Sequence, residues 1–256
     1  MRRRFFVDAF AGGAAYLSGD AAHHLGRVLR AEPGQLYELS DGNAVFLARV
    51  DRVSKSGVQF SLVEKVSLPA APLEISLLIA IVKFDRFEWA LEKATELGVH
   101  TIVPLAAERS EKALLAAAAK RAARWRKILL ESAQQARCLR PPCLQSMARP
   151  APAFVQNIAG LKILFSERSG AAPLRSILGD AAAQNTENEP PQKMALAIGP
   201  EGGWTDGEFG AALAAGFREA SIGKNILRTE TAVIAGLAAA HLYFDGDVDG
   251  AGQGNG

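Results

Sequence analysis

The sequence predicts an α/β protein: a mostly parallel sheet with helices on both faces, preceded by a small β-barrel. Three observations carry this reading. Before residue 70, short alternating apolar runs are split by polar turns. From Leu73 onward, buried strand-like runs alternate with helix-like ones. Near the C-terminus, two compact turns each follow a β-like run and precede a helical one, which is how an α/β protein builds a ligand cleft. At 256 residues with 49% hydrophobic content, the chain can build packed cores as one large domain or two small ones.

In the first part, residues 20–30 read as a helix that covers or plugs the barrel. Strands are expected at 35–39, 44–50 and 57–63, with turns at Ser40-Asp41-Gly42-Asn43 and Ser54-Lys55-Ser56. Pro69-Ala70-Ala71-Pro72 marks a linker, so the domains are expected at 1–70 and 73–244. Residues 75–82 read as a buried strand. Asp85, with Glu88 three residues on, reads as a capping box. Phe87, Ala90, Leu91 and Ala94 keep helical spacing after it, and Gly98 ends that helix. A strand at 99–105 precedes an Ala-rich basic helix, which Pro141-Pro142 stops. Further strands are expected at 161–165, 194–198 and 219–222, with a closing helix at 231–244. Residues 180–193 read as a surface loop and 245–256 as a frayed, Gly-rich tail.

The first compact turn is Ile198-Gly199-Pro200-Glu201-Gly202-Gly203, entered from Met194-Ala195-Leu196-Ala197. Thr205 with Glu208 caps the helix that follows. The turn lacks the Lys-Ser/Thr of a P-loop and is not G-x-G-x-x-G, and no Gly-rich fingerprint follows an early strand. A Rossmann-type fold is therefore disfavoured. Pro200 removes an amide donor and Glu201 adds negative charge, so a neutral or cationic ligand suits the loop better than a polyphosphate. Alone, the turn also reads as an ordinary strand-to-helix connection. The second turn is Leu227-Arg228-Thr229-Glu230-Thr231-Ala232.

Taken together, these two blocks resemble the RsmE family, which methylates N3 of one uridine in 16S ribosomal RNA. The family belongs to the SPOUT class of trefoil-knotted methyltransferases. The resemblance runs in order along nearly the whole chain. It includes Arg4-Phe5-Phe6-Val7, the run from His23 through Leu25-Gly26-Arg27 to Arg30 with Pro33-Gly34, Lys93-Ala94-Thr95-Glu96-Leu97-Gly98-Val99, and Pro104-Leu105-Ala106-Ala107-Glu108-Arg109-Ser110. It implies a knotted sheet, a PUA-like N-terminal barrel, and S-adenosylmethionine held by three loops at the knot.

By position, those loops imply donor contacts from Leu164, Phe165, Ile198, Gly199, Pro200, Glu201, Gly202, Gly203, Ile222, Gly223, Ile226, Leu227, Arg228, Thr231 and Ala232. The apolar members suit adenine, and the glycines let main chain approach it. Glu201 and Glu167 could each hold the donor's amino group, or each could face solvent. Methylation at uracil N3 needs loss of the imino proton and stabilisation of the resulting anion. Arg228 is the leading catalytic candidate, its guanidinium suited to a uracil oxygen. Glu230 is the second, as a base or as an orienter of Arg228. Thr229 and Glu230 equally suit the N-terminus of the last helix.

The net charge of +2 is too small to argue for nucleic acid, but its distribution is uneven. Residues 112–140 hold eight basic side chains against the single acid Glu131. A solvated helix face explains such a run as well as RNA does. With the resemblance added, Arg4, Arg27, Arg30, Arg109, Arg137 and Arg140 are the RNA-binding candidates, and 16S rRNA or the small ribosomal subunit is the expected partner. Where the family usually shows a Glu-Gln pair followed by a Gly-Arg step, the sequence here is Ala133-Gln134-Gln135-Ala136-Arg137-Cys138-Leu139-Arg140, with the acid missing and the matching arginine left open between Arg137 and Arg140.

Two cysteines, Cys138 and Cys143, supply neither a disulfide framework nor a zinc site, and no metal is expected. No apolar stretch reaches membrane length, so a cytoplasmic protein is expected. The resemblance implies a homodimer through the last helix, whose apolar Ala-rich run suits a monomer's core equally well. Two rival readings stay open: a knotted methyltransferase on another RNA, and a catalytically silent RNA-binding assembly factor.

Overall fold

The computed structural model describes residues 3–68, 73–183 and 193–244. The chain divides into two compact units, residues 1–70 with 129–141 and residues 71–128 with 142–256. The first unit therefore takes in a segment that sequence reading assigns to the second. The expected linker, the tail, and positions 184–192 of the expected loop lie outside the described residues.

The first unit opens with strands β1 (Arg4–Phe6), β2 (Phe10–Ala11) and β3 (Ala14–Leu17), followed by helix α1 (Gly19–His23), which runs on into a π-helical turn at His24–Val28. Strands β4 (Leu36–Ser40), β5 (Val45–Val53) and β6 (Val58–Lys65) complete it. The six strands form one sheet in the order β1-β4-β5-β6-β3-β2. The β1–β4 pair is parallel and the other pairs are antiparallel. Period-2 alternation sends Ala48 and Val50 into the core, out of step with buried Val45 because the register shifts between them. Register shifts at Leu47/Ala48 and Val50/Arg52 bend β5. The π-helical turn puts fully buried Leu25 among Phe5, Leu17, Leu39 and Phe60, so the expected helix does cover this core.

The second unit contains β7 (Glu74–Ala80), α2 (Phe84–Glu96), β8 (Thr101–Leu105), α3 (Lys112–Ala136), β9 (Cys143–Leu144), α4 (Pro150–Gln156), β10 (Leu161–Phe165) and β11 (Ala172–Pro173). It continues with α5 (Leu174–Ala183), β12 (Lys193–Ile198), α6 (Asp206–Ala214), β13 (Arg218–Ser221) and α7 (Thr229–Phe244). Helix α3 ends inside the first unit's segment. The seven strands pair in parallel in the order β11-β13-β10-β12-β7-β8-β9. The largely apolar runs of β7, β10 and β12 reflect burial on both faces. Leu78, Ala195, Ala197 and Leu164 pack with Phe154 of α4 and Ala212 of α6. On the other face, Phe165 and Leu196 meet α7 at Gly236. Helix α7 also joins α2, where His241 Nε2 donates to the Leu97 carbonyl at 2.6 Å.

Two local readings differ in outcome. The Thr205–Glu208 capping box is present in both directions at the start of α6. The Asp85–Glu88 box is not: α2 starts at Phe84 after Lys83, without a side-chain cap. The Glu88 carboxylate instead binds Arg121 at 3.2 Å and Arg124 at 2.8 Å on α3. Positions 180–183, read from sequence as loop, are the last turn of α5, where buried Leu174, Ile177 and Leu178 anchor the helix.

Candidate active site

Three adjacent strands, β13, β10 and β12, end on the same side of the sheet, and a cleft of about 720 Å³ opens beyond their carboxyl ends. That volume suits a small-molecule ligand. Its walls come from residues 165–171, 198–204 and 220–229, the loops the sequence points to. Strands β7 and β8 lie next in the sheet, and the segments leaving them add Arg86 and Arg109.

Gly199 is where the loops are joined. Its Cα faces the buried Trp204 indole so closely that an added Cβ would lie 3.1 Å from the ring, which a side chain at this position would have to displace. Trp204 Nε1 donates to the Phe165 carbonyl at 3.0 Å, fixing the loop after β10 to the loop after β12. Thr229 Oγ1 donates to the Gly199 carbonyl at 3.0 Å, fixing the start of α7 to the same point. The Thr229 hydroxyl thus bridges two loops and does not cap its helix.

The charges around the cleft are organised in pairs. Arg86 Nη1 binds Glu201 Oε1 at 3.0 Å, and Arg86 Nε lies 4.0 Å from Glu230 Oε1. Arg168 pairs with Asp206 and stacks its guanidinium 4.0 Å over the Phe209 ring. Arg109 Nη1 donates to the Gly202 carbonyl at 2.7 Å. Arg228 lines the cleft, exposed, with no ion pair among the described residues. Because Arg86 offsets Glu201, that carboxylate does not stand as an isolated negative charge in the loop.

Of the residues expected to hold a cofactor, the cleft brings together Phe165, Ile198, Gly199, Pro200, Glu201, Gly203, Ile222, Gly223, Ile226, Leu227, Arg228 and Ala232. Leu164 points instead into the sheet core, and Thr231 is exposed on α7. Gly202 presents its carbonyl to Arg109. Glu230 is buried, reaches toward Arg86 and not Arg228, and its Oε2 has no hydrogen-bond partner among the described residues. Sequence reading misses Arg86 and Trp204. Each follows its strand or glycine turn within a few residues, which is the signal that could have marked them.

The RNA candidates scatter. Arg109 is at the cleft wall, while Arg27, Arg30 and Arg140 are exposed in the first unit. Arg137 is half-buried, with Nη1 3.7 Å from Glu38. Arg4 is a correction: it is buried, binds Glu38 Oε2 at 2.9 Å, and donates to the carbonyls of Arg137 and Cys138. Those bonds occupy its guanidinium, so it ties the unit together and presents no exposed charge to a phosphate.

The lining fits S-adenosylmethionine. Phe165, Ile198, Ile222 and Leu227 offer an apolar surface for adenine, and the missing Cβ at Gly199 leaves backbone accessible beside it. Glu201 and Glu167 supply carboxylates for an ammonium or sulfonium group.

A family model described as an RNA methyltransferase domain matches residues 69–241. A ribosomal RNA small subunit methyltransferase E from Synechocystis is 36% identical over 229 residues, 87% of this chain and 71% of the relative. A ribosomal RNA small subunit methyltransferase E from Neisseria gonorrhoeae, solved bound to S-adenosylmethionine, superposes with a TM-score of 0.80. It is 30% identical, over 94% of this chain and 98% of that one. A methyltransferase from Legionella pneumophila, solved with the same cofactor, gives a TM-score of 0.79 at 30% identity, again over 94% and 98%.

Proposed function

The chain belongs to the RsmE family of RNA methyltransferases, and from that premise we propose that it methylates N3 of a uridine in 16S ribosomal RNA. It is an S-adenosylmethionine-dependent enzyme acting on small-subunit ribosomal RNA. The observation that carries the specific reading is the join at Gly199, which sets three loops around one cleft with Arg228 at its wall.

The donor supplies an electrophilic methyl on a sulfonium sulfur. Everything else falls to the chain. Phe165, Ile222 and Leu227 hold the adenine end, and the residue 198–203 backbone borders it. Arg228 hydrogen-bonds a uracil carbonyl oxygen and stabilises the anion left when N3 loses its proton to solvent water. Fixing the loops to one another fixes Arg228 relative to the methyl group, so that in-line attack needs little further ordering. Glu230, buried behind Arg86, takes a positioning role and not that of proton acceptor.

The first unit acts as the PUA-like RNA-binding part, with exposed Arg27, Arg30 and Arg140 for phosphate contacts. The second is read as the trefoil-knotted domain. Exposed Leu242 and Tyr243 on α7 support a homodimer through that helix. No helix among the described residues is long and apolar enough to cross a membrane.

Nucleoside mass spectrometry of ribosomal RNA from a strain lacking this protein tests the substrate. Loss of N3-methyluridine from 16S rRNA is expected, restored by the wild-type chain and not by Arg228→Ala. Persistence of the modified nucleoside at the wild-type level would refute the assignment.

A further inference from the structure

Resting on the methyltransferase reading above, we infer that Arg86 is a positioning residue for methyl transfer, acting through Glu230 on the segment that carries Arg228. Arg86 stands in the first turn of α2, just past the carboxyl end of β7, the strand next to β12. Its guanidinium lines the cleft and reaches carboxylates from two loops, Glu201 at 3.0 Å and Glu230 at 4.0 Å. Glu201 belongs to the loop along the donor site. Glu230 lies two residues after Arg228, beyond the Thr229 that ties α7 to Gly199.

Burial makes this arrangement consequential. Glu230 is 7% exposed, and its Oε2 has no hydrogen-bond partner among the described residues. Such a carboxylate is tolerated only with compensating charge nearby, and Arg86 is the cation the structure places there. Remove it, and the buried charge drives the 228–231 segment toward solvent, carrying Arg228 out of line. A displacement of about 1 Å at a reacting centre can cost roughly a hundredfold in rate. A planar guanidinium can serve both carboxylates together, whereas a lysine ammonium is a single point charge. Arg86 also keeps two carboxylates beside a cationic donor from acting as an excess of negative charge.

The test compares wild type, Arg86→Gln, Arg86→Lys and the double variant Arg86→Gln/Glu230→Gln. The measurements are turnover on small-subunit ribosomal RNA, melting temperature, and calorimetric affinities for S-adenosylmethionine and S-adenosylhomocysteine. Arg86→Gln is expected to bind the methyl donor within about threefold of wild type while losing roughly a hundredfold in kcat. Its preference for the sulfonium donor over the neutral-sulfur product should rise roughly threefold or more, because a nearby cation has gone. Glu230→Gln in that background should restore part of the turnover by removing the uncompensated charge. Arg86→Lys should stay folded with kcat still lowered, which keeps the inference testable if Arg86→Gln melts. Wild-type kcat in Arg86→Gln, losses that only track donor affinity, or no recovery in the double variant would each overturn the role of Arg86. Absence of saturable donor binding or methylation in the wild-type protein would instead overturn the methyltransferase reading beneath it.

Discussion

Thr229 Oγ1 donates to the Gly199 carbonyl at 3.0 Å, so the first residue of α7 is bonded to the glycine turn that follows β12. Two turns thirty residues apart in sequence are thereby one structural object. Thr229→Val keeps the volume and removes the donor, leaving the carbonyl unpaired at a cost of about 1–3 kcal/mol. Titration calorimetry should show donor affinity about tenfold weaker, with Thr229→Ser close to wild type. Equal affinity for the valine variant would show that the bond does not shape the cleft.

Gly236 stands mid-helix in α7, where alanine would ordinarily be favoured by about 1 kcal/mol. An added Cβ there would sit 2.8 Å from the Phe165 ring, which borders the cleft. Gly236→Ala is therefore expected to push that ring toward the cofactor space. Donor affinity should fall severalfold without the rise in melting temperature that helix propensity alone would give. A higher melting temperature with unchanged affinity would contradict this packing argument.

Arg228→Ala should leave donor affinity within about twofold and lower kcat roughly 10²–10³-fold, the scale for removing one donor to a developing anion. Single-turnover assays on small-subunit RNA separate the two effects. Unchanged turnover would take Arg228 out of the chemistry.

Arg4 and the exposed arginines should behave in opposite ways. Arg4→Ala removes the nearer of the two cations paired with the mostly buried Glu38 carboxylate, leaving Arg137 at 3.7 Å, and should cost about 3 kcal/mol of stability. Arg27→Ala with Arg30→Asn should leave the melting temperature alone; asparagine is chosen because Arg30 sits at φ 52°. That pair should weaken RNA binding and flatten its salt dependence by about one unit per lost phosphate contact. Filter binding across a salt series checks this.

Much of the second unit is legible in sequence because its signals are local. The strands β7, β8, β10 and β12 show as short apolar runs, and Thr205 with Glu208 marks its helix start without ambiguity. The same pattern misleads at Asp85, because Glu88 finds two arginines on α3 and the helix begins uncapped. A capping box is a statement about where one carboxylate goes, and tertiary partners compete for it. Arg86 and Trp204 are easily passed over for a related reason. Each matters through contacts with loops distant in sequence, and only the order β13-β10-β12-β7-β8 brings those loops together. Arg4 fails in the opposite sense: a basic N-terminus looks exposed until Glu38 and two carbonyls enclose it.

A crystal structure of the protein soaked with S-adenosylmethionine tests the central claim most directly. The donor is expected in the cleft joined at Gly199, with adenine against Ile222 and Leu227 and its methyl group turned toward Arg228. Density for the donor elsewhere, or a saturated crystal with this cleft empty, would contradict the account.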